Sequence, residues 1–369
     1  MLPMRLRPIG TVLRAPAFWD THPPNWLSDA ALPFALAYAA AARLRERLAS
    51  PPSVAAAPVV CIGSVLVGGS GKTPVTLAVA QRLATTRPDV QVHFLSRGYG
   101  GAAPGPLLVE PGVHSSTDVG DEPMLLAQLA PTWVGARRSE TAALACESGA
   151  QLLLMDDGLQ HPSLHRDLSL LCVDSAYLLG NGRVLPAGPL REPTERGYAK
   201  ANAVVAVSYA PAIDDGGGGS GGGGSSSSEH GLPSEAHLRN RLDMPDAMPL
   251  LRALLQPEPE AAAQVAGRRL VAFSGIARPQ RFFDTLRSLG CVFVVPPLAM
   301  PDHAPIDAPT LERLRNHAKA HDALLATTSK DAARLTSLER EGIHVLPARL
   351  KWLDGTERML DELLDSLRT

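Results

Sequence analysis

The chain has 369 residues, 45% of them hydrophobic and 20% charged, with a formal net charge of −2. That length fits about two domains, the composition is that of a globular protein, and the charge balance gives no argument for nucleic-acid binding, so no nucleic-acid partner is expected. Cys61, Cys146, Cys172 and Cys291 lie far apart with no C-x-x-C spacing, so neither a zinc site nor a disulfide framework is expected.

The opening stretch is basic and apolar, with Arg5, Arg7 and Arg14 followed by Trp19 and Trp26. An apolar run at residues 30–42 then closes on Arg43, Arg45 and Arg47. It is well short of the ~20 residues that span a bilayer, and no small-residue cleavage site follows it as a secretory signal would require. Two readings stand. Aromatic residues beside an apolar helix that ends in arginines suit a helix lying in a membrane interface, and the same pattern suits a helix packed on the protein's own core.

Residues 57–77 read as strand, glycine-rich turn and helix. Val59, Val60 and Ile62 give a buried strand; Gly68, Gly69, Ser70 and Gly71 give the turn; Val75, Val79 and Leu83 continue at helical spacing. Backbone N–H groups of such a turn converge on an anion at a helix N-terminus. Lys72 then reaches the β- and γ-phosphates of a nucleotide, and the Thr73 hydroxyl holds Mg²⁺. The first glycine of the G-x-x-x-x-G-K-[ST] pattern is replaced by Leu66, so only its second half is regular.

A second strand at residues 90–96 runs into Arg97-Gly-Tyr99-Gly-Gly101, where open α/β sheets place ligands. Asp121 and Glu122 start a helical pattern and read either as first-turn acids or as a base and a metal ligand. The apolar strand at 151–155 ends in Asp156-Asp157, the Walker B arrangement for Mg²⁺. Gln160 and His161 follow it, and the Gly/Pro-rich loop at 180–193 ends in Arg191-Glu192. Further strands are expected at 169–174 and 203–208. The Gly/Ser tract at 214–228 reads as a flexible linker.

Beyond it the alternation resumes, with strands near 270–273, 292–295, 324–327 and 345–346 and helices over 279–289, 311–321 and 330–340. Alternating strands and helices predict parallel sheets. His303 sits in a loop after a strand. Thr327-Thr-Ser-Lys-Asp331 superficially resembles a guanine-reading motif, but it lacks the Asn and its Lys and Asp are adjacent.

Taken together these motifs resemble the tetraacyldisaccharide 4'-kinase (lipid A 4'-kinase) family. The residues that carry the resemblance are Val67-Gly-Gly-Ser-Gly-Lys-Thr-Pro74, Ser96-Arg-Gly-Tyr-Gly-Gly101, Gly120-Asp-Glu-Pro123 and Met155-Asp-Asp-Gly-Leu-Gln-His161, together with Leu185-Pro-Ala-Gly-Pro-Leu-Arg-Glu-Pro193, Phe273-Ser-Gly-Ile-Ala-Arg-Pro279, Pro301-Asp-His303 and the 327–331 segment. Ser64-Val65-Leu66, Leu159, Ala304 and Ser329 depart from the family's usual residues.

The resemblance implies a P-loop α/β kinase domain at 51–211, a linker at 212–233, a smaller α/β domain at 234–369 and a membrane-associating segment at 1–50. It implies an ATP- and Mg²⁺-dependent enzyme at the cytoplasmic face of a Gram-negative inner membrane, with no obligate protein partner. Its substrate would be an acylated glucosamine disaccharide 1-phosphate, phosphorylated at the 4'-hydroxyl to lipid IVA. It assigns Asp121 as base supported by His303, Lys72 to charge on the transferring group, and Thr73, Asp156, Asp157 and Glu122 to the metal. Arg97, Tyr99, Gln160, His161, Arg191 and Glu192 are expected to grip the substrate. The competing readings are a P-loop switch or metallochaperone-type ATPase or GTPase that acts on a protein, and a soluble small-molecule kinase.

Overall fold

A computed structural model describes residues 15–209 and 232–367. Arg5, Arg7, Arg14 and the Gly/Ser tract at 214–228 lie outside the described residues. The strands are β1 (Val59–Gly63), β2 (Val92–Ser96), β3 (Leu107–Leu108), β4 (Thr132–Val134), β5 (Leu152–Asp156), β6 (Leu168–Asp174) and β7 (Ala203–Tyr209), then β8 (Leu250–Pro257), β9 (Arg269–Ser274), β10 (Val292–Phe293), β11 (Leu298–Ala299), β12 (Leu324–Thr328), β13 (Ile343–Leu346) and β14 (Ala348–Trp352).

Among the described residues two sheets form. The larger has nine strands in the order β14-β8-β7-β6-β1-β5-β2-β4-β3 and the smaller runs β10-β9-β12-β13, with β11 beside β9. All pairings are parallel except β3 with β4 and β14 with β8. Parallel strands covered on both faces need near-continuous apolar runs, and β1, β5 and β6 are buried throughout. Side chains of β1 alternate between faces. Val59 and Cys61 pack toward the helices Arg138–Glu147 and Glu235–Leu242, while Val60 and Ile62 pack toward Lys72–Thr86 and Thr356–Asp365.

The division of the chain differs from the expected boundary at 234. β8 pairs with β7, β14 pairs with β8, and Leu251, Ala253, Trp352, Leu360 and Leu364 join the core of the large sheet. The second lobe is therefore residues 258–347, inserted between the two strands of an antiparallel pair. β8 escapes prediction because Leu-Leu-Arg-Ala-Leu-Leu is a helix-forming composition, here overridden by burial against β7. The helix expected over 330–340 is two short ones, Ser329–Ala332 and Ser337–Arg340, because Thr336 forms a capping box with Glu339 that starts a new turn.

The helices Trp26–Ala30 and Leu32–Leu48 are held to the large lobe by polar contacts. Buried Ser28 donates to Ala187 O at 2.6 Å, Asp29 pairs with Arg183 at 2.6 Å, and Glu46 pairs with Arg196 and with Lys200 at 3.2 Å. Their large apolar side chains point outward: Trp26 is 72% exposed, Phe34 68%, Leu36 71% and Leu48 76%. No helix among the described residues is long and apolar enough to cross a membrane.

Because Leu360 is fully buried against the large sheet, Leu360→Ala should destabilise the protein by about 2–5 kcal/mol. Chemical denaturation checks this; a change near zero would mean that the C-terminal helix is dispensable to the core.

Candidate active site

The C-terminal ends of β1, β2, β5 and β6 carry the large lobe's chemistry. Gly71 opens the Lys72–Thr86 helix with φ of +80°, a left-handed conformation that favours glycine. A Cβ there would also come within 3.1 Å of Val207. The missing first glycine is explained by packing: Leu66 is buried and bridged to Leu190, and Val67 N–H donates to Pro189 O at 3.0 Å. That half of the loop faces the 180–193 segment, so only Gly68–Thr73 is free to cradle an anion. Ser70 is buried there, and its hydroxyl has no hydrogen-bond partner among the described residues.

Asp156, buried at the end of β5, accepts hydroxyl bonds from Thr73 and Thr76, each at 3.0 Å. Burial and the nearby Glu122 charge push its carboxyl up to about 7, against the pull of Lys72. Asp157 differs. Arg191 grips it with both arms, at 2.7 and 2.9 Å, and Lys72 Nζ stands 3.8 Å away. Those cations outweigh its burial and hold it below the usual carboxylate range.

Asp121 begins its helix directly after Gly120, whose φ of +92° lets the chain pass under the Tyr99 carbonyl. The carboxylate is almost wholly buried; one oxygen accepts the Glu122 N–H at 2.9 Å, and its side-chain partners come from the second lobe. His303 Nδ1 lies 3.0 Å from both of its oxygens, and Arg334 donates from Nε at 2.8 Å and Nη2 at 2.6 Å. Lys330 Nζ stands 3.2 Å from His303 Nε2, 3.3 Å from Glu122 and 3.6 Å from Asp302. Burial raises the Asp121 carboxyl, but the His303 hydrogen bond and the Lys330 and Arg334 charges overturn this and hold it far below the usual range. The Lys330 ammonium can only donate, so His303 Nε2 accepts and Nδ1–H donates to Asp121. A phosphate cradle, a buried Walker-type carboxylate and a carboxylate–imidazole pair thus share one cleft.

The family described as Tetraacyldisaccharide-1-P 4'-kinase matches residues 27–368. The chain belongs to this family. The tetraacyldisaccharide 4'-kinase of Rhodospirillum centenum is 42% identical to it over 95% of this chain and 97% of its own length. That of Gluconobacter oxydans is 41% identical over 96% and 99%. LpxK from Aquifex aeolicus, crystallised in an "apo" form in complex with ATP, shares the fold, with a TM-score of 0.65 at 24% identity over 92% of this chain and 98% of that one.

Against that family background, Lys72, Thr73, Asp156, Asp157, Asp121, Glu122 and His303 converge on the cleft. Gln160 and Glu192 are occupied within the loop framework. The Gln160 amide donates to Ser64 O at 2.9 Å and to Glu192 at 3.0 Å, and buried Glu192 is paired with Lys200 at 2.6 Å. Arg191 is spent on Asp157 and Gln160. These three residues tie the 180–193 loop to the end of β5. Arg97 and Tyr99 are exposed, and the Tyr99 ring meets His303 edge-on at 5.4 Å. His161 bonds Ser163 at 3.0 Å, and burial with the nearby Arg138 charge depresses its basicity.

Sequence reasoning missed Arg138 and Arg334 and gave Lys330 no role of its own. Arg138 is buried, its guanidinium donates to the Ser96 carbonyl at 3.1 Å, and burial with the neighbouring Arg97 charge lowers it to about 10. The Arg97 and Arg138 charges therefore oppose each other, and both make the His161 ring a weaker base. Arg334 follows a helix expected to be continuous, and no spacing marks it as Asp121's partner across 213 residues.

Arg334→Met should cost about 3–5 kcal/mol, the usual loss when one member of a buried ion pair is removed. Asp121's depressed value contributes stability that is present above the ordinary aspartate range near 3.8 and lost as pH falls below it. The variant lacks part of that contribution, so its acid-unfolding midpoint should move to higher pH. An unchanged acid transition, followed by circular dichroism, would contradict the assigned role.

Proposed function

We propose that this chain transfers the γ-phosphate of ATP to the 4'-hydroxyl of a tetraacylated glucosamine disaccharide 1-phosphate, giving lipid IVA. The observation that carries the reading is the Asp121–His303 pair at 3.0 Å, made between lobes beside a phosphate loop. In a loose phosphoryl-transfer transition state the acceptor hydroxyl loses its proton late, when it has become acidic. A weak base that is already ionised then suffices. The proton passes from O4' to an Asp121 oxygen as the new O–P bond forms and the bond to the ADP oxygen breaks. His303, donating through Nδ1, orients the carboxylate, and Lys330 fixes the imidazole. Gly68–Thr73 hold the phosphate chain, and Lys72 neutralises the oxygens of the transferring group. Asp121 with His303 is available only when the lobes are together, which limits loss of the phosphoryl group to water.

The donor set fits Mg²⁺. Asp156 and Thr73 present hard oxygens, and among the described residues Asp156 has no ion-pair partner within bonding distance. Mg²⁺ is commonly held by one or two carboxylates plus substrate phosphates, and it would neutralise charge on the phosphate oxygens. Asp157 and Glu122, committed to Arg191 and Lys330, set the field around that position rather than completing it. Arg97, Arg138 and His161 suit the acceptor's 1-phosphate, with Arg offering a bidentate fork.

The outward apolar faces of the N-terminal helices, held from below by ion pairs, favour a membrane-interface helix over a core helix. The acyl chains then stay in the bilayer while the sugar enters the cleft, on the cytoplasmic side where ATP is found. A nucleotide switch acting on a protein would need neither the Asp121–His303 pair nor that exposed face.

Phosphate transfer from γ-labelled ATP to the tetraacyl disaccharide 1-phosphate in detergent micelles tests the reading. A bis-phosphorylated lipid should form, be lost in Lys72→Ala, and fall at least 100-fold in kcat in Asp121→Ala with little change in KM for ATP. Acceptor-independent phosphate release in place of lipid product would support the switch. Separately, the protein should co-float with vesicles containing anionic lipid, and Trp26→Ser with Phe34→Ser should abolish this while leaving the thermal transition in place. Unchanged flotation would return those helices to a purely structural role.

A further inference from the structure

β1 is the point where the large sheet reverses direction: the chain leaves it toward β2 on one side and returns from β5 to β6 on the other. Crevices outside such switch points are where open α/β sheets bind ligands. Here the crevice is walled by the phosphate loop after β1 and by Asp174 at the end of β6. Its remaining wall comes from the second lobe, through the loop after β9.

That loop and the first turn of the Pro279–Ser288 helix it opens deliver two guanidinium groups. Arg278 donates to Asp174 Oδ2 at 2.5 Å and lies flat on the Tyr177 ring, 3.5 Å from its centroid. Arg281 pairs with the same oxygen and lies 3.9 Å over the Tyr209 ring. The other Asp174 oxygen is taken by the N–H groups of Ala176 and Tyr177, at 3.0 and 2.9 Å. One fully buried carboxylate therefore faces two permanent cations, and one positive charge is left over. The excess points at the cradle: a Cβ built on Gly69 would lie 3.7 Å from the Arg278 guanidinium carbon and 3.4 Å from Ala277. Gly69 has φ of +59°, the turn that directs loop N–H groups toward an anion.

We propose that Arg278 is a phosphate-contacting residue supplied by the second lobe, an arginine finger in cis that reaches the β- or γ-phosphate over Gly69. This rests on the kinase reading above and adds a residue to it. Tyr177 and Asp174 hold the planar group beside Gly69, so little side-chain freedom is lost on contact, and Arg281 shares Asp174 so that part of the Arg278 charge stays available to the nucleotide. Nucleotide binding and lobe closure then favour each other, because the finger is on one lobe and the cradle on the other.

The test is equilibrium binding of ATP, ADP and AMP to the full chain by calorimetry, comparing the unaltered protein with Arg278→Met, Arg278→Lys and Lys72→Ala. Arg278→Met should weaken ATP and ADP by at least tenfold while changing AMP less than twofold. Arg278→Lys, which keeps the charge but loses the fork, should fall between them, and serves alone if the Met variant does not fold. Equal weakening of all three nucleotides, or none, would reduce Arg278 to a latch between lobes and overturn the inference. Loss of ATP binding in Lys72→Ala alone would leave the kinase reading standing without the finger; no ATP binding by the unaltered protein would remove both.

Discussion

Asp121 carries its negative charge where almost no water reaches it, and an isolated carboxylate could not stay ionised there. Its ionisation depends on His303, Lys330 and Arg334, all from the opposite lobe. The site is therefore an agreement between two halves of the molecule. Neither half holds the assembled base alone: the large lobe supplies the carboxylate without its cationic partners, and the second lobe gathers like charges. Asp331 extends the same logic one step back. It is buried, accepts from Ser274, Gly275 N–H and Thr328, and pairs with Arg334 at 3.0 Å, which fixes the guanidinium that in turn fixes Asp121.

Charge is distributed across the cleft so that similar residues do different work. Asp156 and Asp157 are neighbours at the end of one strand, yet only Asp157 meets a guanidinium. Asp156, left with hydroxyl donors, is pushed upward by its burial. Environment separates the two carboxylates more than sequence does, which is how adjacent identical groups come to differ in their readiness for a cation.

Much of this was legible in the chain. Strand, glycine turn and helix around Lys72, and the apolar strand ending at Asp156, are local patterns whose chemistry lies within a few residues. Asp121 and His303 were named through the family resemblance, since nothing local joins two residues 182 apart. Arg334 and Arg138 were not legible, because an arginine in a helical stretch looks the same whether it faces water or a buried carboxylate. β8 was missed because its four leucines and Ala253 favour helix, and only pairing with the edge of β7 decides otherwise. The 234 boundary failed with it: a composition shift marks where a linker lies, not where the chain later returns to an earlier sheet.

Among the described residues the backbone passes between the lobes where β8 leaves the large sheet and where β14 re-enters it. Pro257 and Ala348 are register partners there, and Glu258 N–H bonds Pro347 O at 2.8 Å. Two crossings side by side behave as one strap. Two paired crossings resist sliding and free rotation, so any parting of the lobes would have to pivot about them along one arc. Groups far along that arc travel farthest for a given bend, and a modest flex at the strap becomes a large gap at the cleft. An opening that let ligands in would then be the same path, run backward, that brings the His303 ring onto Asp121.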